Sequence, residues 1–112
     1  LYPENNAAII SLKDEELKKF EFKKGDTEGF VNYALAIEGV KFAIFIAEKD
    51  GIVKLSLRSK GNFKVNKIAN KYFSGGGHMN ASGGISELSV NETITKVETI
   101  INEYKSELNK AN

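Results

Sequence analysis

The 112-residue chain contains no cysteine and a single histidine. Without cysteine there is no disulfide, no thiolate metal site and no cysteine nucleophile, and the composition fits a reducing, cytoplasmic setting. Long apolar stretches are also missing. The longest, Phe42–Ala47, has six residues, far short of the roughly 20 needed to span a bilayer as a helix. No basic-then-apolar segment opens the chain, so no secretory signal is legible. Charge of one sign is missing as well: 16 Lys+Arg against 15 Asp+Glu leave a formal net charge of +1. That balance argues against a broad basic surface for long nucleic acid and leaves room for a local basic cluster.

What is present is an ordinary globular composition, 41% hydrophobic and 28% charged, on a length that suits one domain. Ala7–Leu12 is a short apolar run and reads as a strand. Lys13–Phe20 carries helix formers with acidic residues early. A further helix is expected over Glu28–Ile37, with Asp26 or Thr27 as its cap and Gly39 as its stop. Val40–Glu48 and Ile52–Ser59 read as paired strands, because Asp50-Gly51 between them is a strong hairpin signal. In the second strand Val53, Leu55 and Leu57 alternate with Lys54, Ser56 and Arg58, so one face is apolar and the other polar. Val65–Phe73 is expected to be a helix with Val65, Ile68, Ala69 and Tyr72 toward the core. A short strand near Gly84–Ser86 follows. Ser89-Val90-Asn91-Glu92 is a capping box, and Val90, Ile94, Val97, Ile101, Tyr104 and Leu108 mark one stripe of a long C-terminal helix. The pattern implies an α+β fold, a single domain over residues 1–112 with a mixed β-sheet packed by helices.

Residues 74–84, SGGGHMNASGG, stand apart. Five of the ten glycines and the one histidine sit in these eleven residues. A helix stop at Gly75 followed by a flexible turn explains one glycine and leaves two. A P-loop fails because no Gly-Lys-Ser/Thr follows. A dinucleotide fingerprint fails because the stretch follows a helix and not a strand. The remaining reading is a loop against which a ligand lies directly, with backbone N–H groups open to an anion and His78 adding a polar group for a phosphate or a base. Arg58, at the end of a strand, offers a planar fork suited to phosphate.

Gly75-Gly76-Gly77-His78 with Ala81-Ser82-Gly83 resembles the signature of the DHH-associated domain, the substrate-binding half of many DHH-family phosphoesterases. Val65-Asn66-Lys67-Ile68-Ala69 and Leu57-Arg58-Ser59 match that family in order and spacing. Gly25-Asp26-Thr27-Glu28-Gly29-Phe30-Val31-Asn32 is similar to its nanoRNase and PAP (3′-phosphoadenosine 5′-phosphate) phosphatase branch. The family has a glycine where Ser74 stands.

The resemblance implies a domain from a longer chain, paired with an N-terminal catalytic DHH domain of that same chain, where manganese would be held. It implies no cofactor and no catalytic residue in these 112 residues. Short RNA or a nucleotide would bind at Arg58, Ser59, Gly75, Gly76, Gly77, His78, Asn80 and Ser82, in a cytoplasmic enzyme without a membrane partner and with a homodimer left open. The competing readings are a cyclic-dinucleotide phosphodiesterase domain, the related domain of alanyl-tRNA synthetases and editing proteins, and a non-catalytic interaction domain.

Overall fold

The computed structural model describes residues 6–13, 32–36 and 39–110. The helix expected over Lys13–Phe20, and the segment with Asp26 and Glu28, lie outside these residues apart from Lys13 and Asn32. Five strands form one sheet in the order β1-β2-β3-β5-β4. They are β1 (Ala7–Leu12), β2 (Phe42–Lys49), β3 (Ile52–Ser59), β4 (Gly76–His78) and β5 (Ala81–Ser86). Among the described strands β1 and β2 run parallel and the other pairs antiparallel. The connection between them includes the helical residues 32–36, and Gly39, at φ +86°, follows that stretch. The β2–β3 turn is set by Asp50 and Gly51, both at positive φ (54° and 78°), the geometry that suits the twist of a two-residue hairpin. Among the described residues no helix is long and apolar enough to cross a membrane.

Alternation on the central strands divides the molecule. Phe42, Ile44 and Ile46 of β2 and Val53, Leu55 and Leu57 of β3 face the main core. Among the described residues that core is covered by α1 (Val65–Phe73) and α2 (Val90–Glu103), with Leu108 beyond them also buried in it. Helix α2 starts at the expected capping box, in which Ser89 Oγ accepts from the Glu92 N–H (3.1 Å) and the Ser89 N–H donates to Glu92 Oε1 (3.3 Å). The long C-terminal helix is broken at Tyr104, and α3 (Lys105–Lys110) continues the chain. On the opposite sheet face Ala8, Ala43 and Phe45 form a second apolar cluster with Ala34 and Val40. Among the described residues that cluster lies over the β1–β2 half of its face.

Two further details differ from the sequence reading. In α1 it is Phe73, four residues after Ala69, that is fully buried, while Tyr72 packs at the core's edge and donates to Glu103 Oε2 (2.9 Å). The glycine-rich stretch is also more than a loop. It contains β4 and the first four residues of β5, joined by Met79 and Asn80 into a hairpin at the sheet edge.

Candidate functional site

Three residues of β3 set out the site. Val53, Leu55 and Leu57 point into the core, so Lys54, Ser56 and Arg58 lie on the other face. Residues directly opposite in an antiparallel pair share a face. Arg58 stands opposite Ala81, and Ser56 opposite Gly83. Across the next pair, Ala81 stands opposite His78 and Gly83 opposite Gly76. Arg58, Ala81 and His78 therefore make one row, and Ser56, Gly83 and Gly76 the next. Two strand spacings separate Arg58 from His78, about 10 Å at ~4.8 Å per strand. Between them lie only a methyl group and bare backbone. The result is a shallow shelf with a cationic wall on one side and an imidazole on the other.

Each wall is held from below. The Arg58 guanidinium donates through Nη1 to the carbonyls of Leu57 (3.0 Å) and Ser82 (3.3 Å), which lean it across β5. His78 is exposed, and its backbone carbonyl accepts from Ser82 Oγ (2.7 Å). The hairpin turn is sewn to the segment between β3 and α1. The Asn80 carbonyl accepts from the Ser59 N–H (3.0 Å), and the Met79 carbonyl from the Val65 N–H (2.8 Å). The Asn80 amide donates to Ser59 Oγ (2.9 Å) and to the Gly61 carbonyl (3.2 Å). Ser59 Oγ in turn donates to the Phe63 carbonyl.

The glycines divide by their surroundings. A Cβ at Gly75 would land on the Gly83 carbonyl oxygen and lie 2.6 Å from Gly84 Cα. Gly77 has φ +143°, and a Cβ there would lie 2.7 Å from the Ala81 carbonyl oxygen. At Gly84 it would lie 2.6 Å from Phe73 Cβ, where β5 crosses the end of α1. At Gly76 it would meet nothing within 4 Å. Packing and backbone conformation thus account for two of the three consecutive glycines, where the structural reading of the sequence explained one. Gly75 is also not the left-handed residue that ends α1. Ser74 is, at φ 49° and ψ 37°, and the Gly75 N–H caps the helix by donating to the Ala69 carbonyl (3.0 Å). A serine thus holds a conformation that favours glycine, at the position where the resembling family has one.

Of the residues singled out from the sequence, Arg58, Gly76 and His78 share the shelf. Ser59 and Ser82 lie on the reverse face and are 5% exposed, with their hydroxyls engaged inside the fold. Asn80 is in the turn, Gly77 is beneath it, and Gly75 is packed against β5. Sequence reasoning passed over Ser56, Ala81 and Gly83 as floor residues. The alternation in β3 was a sufficient signal for Ser56; the other two needed the register of β5. Burial, reinforced by Tyr72, pushes the Tyr104 phenol up, and a hydrogen bond with Tyr72 raises the exposed Lys71 ammonium. Among the described residues no group of three or more His, Cys, Asp or Glu side chains could hold a metal ion.

The DHHA1 domain family matches residues 5–110. The chain belongs to the DHHA1 domain family. It is 39% identical over 92 residues to a probable bifunctional oligoribonuclease and PAP phosphatase NrnA of Streptococcus mutans, covering 80% of this chain and 29% of that protein. It is 32% identical over 104 residues to the bifunctional oligoribonuclease and PAP phosphatase NrnA of Bacillus subtilis, covering 91% and 33%. An exopolyphosphatase-related protein from Bacteroides fragilis superposes with a TM-score of 0.91 at 44% identity, over 97% of this chain and 32% of the other. A pGpG-specific phosphodiesterase from Vibrio shares the fold, with a TM-score of 0.56 at 15% identity over 100% of this DHHA1 chain and 35% of the other. The chain thus spans about a third of the length of the relatives it matches.

Proposed function

We propose that this DHHA1 domain binds the nucleotide for a cytoplasmic, manganese-dependent phosphoesterase that degrades short oligoribonucleotides and removes phosphate from 3′-phosphoadenosine 5′-phosphate. The observation that carries the reading is the shared row of Arg58 and His78 across a floor without bulky side chains. Arg58 offers a charge-assisted grip on a phosphate oxygen. His78 donates to a second oxygen or stacks on a base. Gly76 and Gly83 let the ligand lie on the backbone. Ser59, Asn80, Ser82, Gly75 and Gly77 contribute through the frame they build beneath these groups. The near-neutral charge suits short substrates, which carry few phosphates. Both relatives above 30% identity with oligoribonuclease and PAP phosphatase in their names favour this branch over a cyclic-dinucleotide phosphodiesterase, whose likeness here is one of fold.

The hydrolytic step is assigned to an N-terminal DHH domain of the same protein, where bound manganese would supply activated water for attack on phosphorus. The residues of this chain hold and orient the nucleotide for that step. The test is a double-mutant cycle on mononucleotide affinity. Arg58→Ala and His78→Ala are each expected to cost about 1–3 kcal/mol of binding. Together they should cost less than the sum, since both grip one ligand. Unchanged affinity in both single variants would return them to ordinary surface residues.

A further inference from the structure

Ser56 has no part in the reading above, yet it sits on the same shelf, two residues before Arg58 on β3. Its neighbour across one strand pair is the Phe45 ring position, part of the covered apolar cluster. Its neighbour across the other is Gly83, followed by Gly76, neither with a side chain. The serine stands half-buried where the sheet face steps down from packed aromatic to bare backbone. Among the described residues its hydroxyl makes no hydrogen bond. The buried Ser59, Ser82 and Ser86 have engaged hydroxyls; of the half-buried strand serines Ser11 and Ser56, only Ser56 lies on the shelf face.

The Ser56 hydroxyl is not among the buried unpartnered polar atoms, so it reaches solvent and is open to a ligand as well as to water. Ser56 is neutral, can both donate and accept, and lies about 7 Å along the strand from Arg58. Its position therefore suits a neutral hydroxyl of a molecule whose anionic group is held in the Arg58–His78 row. A nucleotide carries such a pair: a phosphate, and a sugar hydroxyl one short step from it.

We infer that Ser56 is a specificity-determining residue that hydrogen-bonds a ribose hydroxyl of the nucleotide, so that this shelf distinguishes ribonucleotides from their deoxy counterparts. The inference rests on the proposed nucleotide site and adds to it a recognition of the sugar. The floor at Gly83 and Gly76 is what makes this geometry available, because a side chain at either position would stand between the hydroxyl and the ligand.

The test is calorimetric titration of the chain with adenosine 5′-monophosphate and with its 2′-deoxy and 3′-deoxy forms. The unsubstituted protein should bind the ribonucleotide more tightly than one of the two deoxy forms. Ser56→Ala should weaken ribonucleotide binding roughly 3- to 10-fold, the usual net worth of one neutral hydrogen bond, and leave that deoxy form unchanged. Ser56→Thr, which keeps the hydroxyl, should retain the preference. A thermal melt on each variant checks the fold, which a half-exposed strand position should preserve. If the preference survives in Ser56→Ala, or is absent from the unsubstituted protein, the inference is overturned. Arg58→Ala separates that result from a failure of the site itself: it should weaken all three nucleotides alike. If Arg58→Ala weakens none, the nucleotide site is wrong and the sugar contact falls with it.

Discussion

Gly75 and Gly76 are adjacent and chemically identical, yet the fold asks different things of them. An added methyl at Gly75 would collide with the backbone of β5, and at Gly76 it would meet open space on the shelf. Gly75→Ala should therefore destabilise the chain by about 1–3 kcal/mol or more, the range for overpacking a close contact. Gly76→Val should leave stability within about 0.5 kcal/mol, as exposed substitutions do, while its branched side chain blocks the nucleotide. A denaturant melt and a mononucleotide titration on both variants check this. A folded Gly76→Val that binds normally would remove Gly76 from the site. At this scale the sequence was partly legible. Arg58 and His78 stood out by type and position. Which glycine serves the ligand and which the packing did not, because that depends on what passes within 3 Å of each.

Among the elements, β3, α1 and α2 could be read with little ambiguity. A strict alternation, a helical stripe and a capping box each gave a local physical reason for the structure observed. The edge strand β4 could not. It has three residues, two of them glycine, and a strand without side chains has no alternation to display. Its pairing with β5 is also what brings His78 beside Arg58, so half of the site was hidden with it. The break at Tyr104 was hidden too, since Leu108 continues the apolar stripe past it. Tyr104 packs edge-on against Phe63, with ring centroids 5.8 Å apart, and its burial holds the phenol above the usual tyrosine range. In the unfolded chain that phenol ionises first, near pH 10. The stability it contributes is therefore full below that pH and is lost as pH rises through the higher folded value. The denaturant midpoint should fall as pH rises above about 10, and fall less steeply in Tyr104→Phe. Equal slopes in the two proteins would contradict the raised ionisation.

As a whole molecule, the chain is a sheet with one face closed by α1 and α2 and the other closed over only its β1–β2 half by the described residues. The α+β class followed from the order of the elements. The uneven covering of the two faces followed only from the register, which puts the apolar residues of both faces on β2 and mainly small or polar ones on the far half. The proposed role of this shelf is to hold the nucleotide, and among the described residues no group of three or more His, Cys, Asp or Glu side chains could hold a metal ion. General acid–base help from His78 alone would be worth only about 10²–10⁴-fold. The central claim is the proposed division of labour, with nucleotide binding by this shelf and hydrolysis assigned to an N-terminal DHH domain, and it is tested most directly by one titration. The chain is mixed with a labelled short RNA and manganese, and bound ligand and released mononucleotide are followed in the same sample over several hours. The expected result is saturable binding that Arg58→Ala and His78→Ala weaken, with no mononucleotide released until an N-terminal DHH domain is supplied. Manganese-dependent release by the chain alone, abolished by His78→Ala, would contradict it, and so would the absence of any binding.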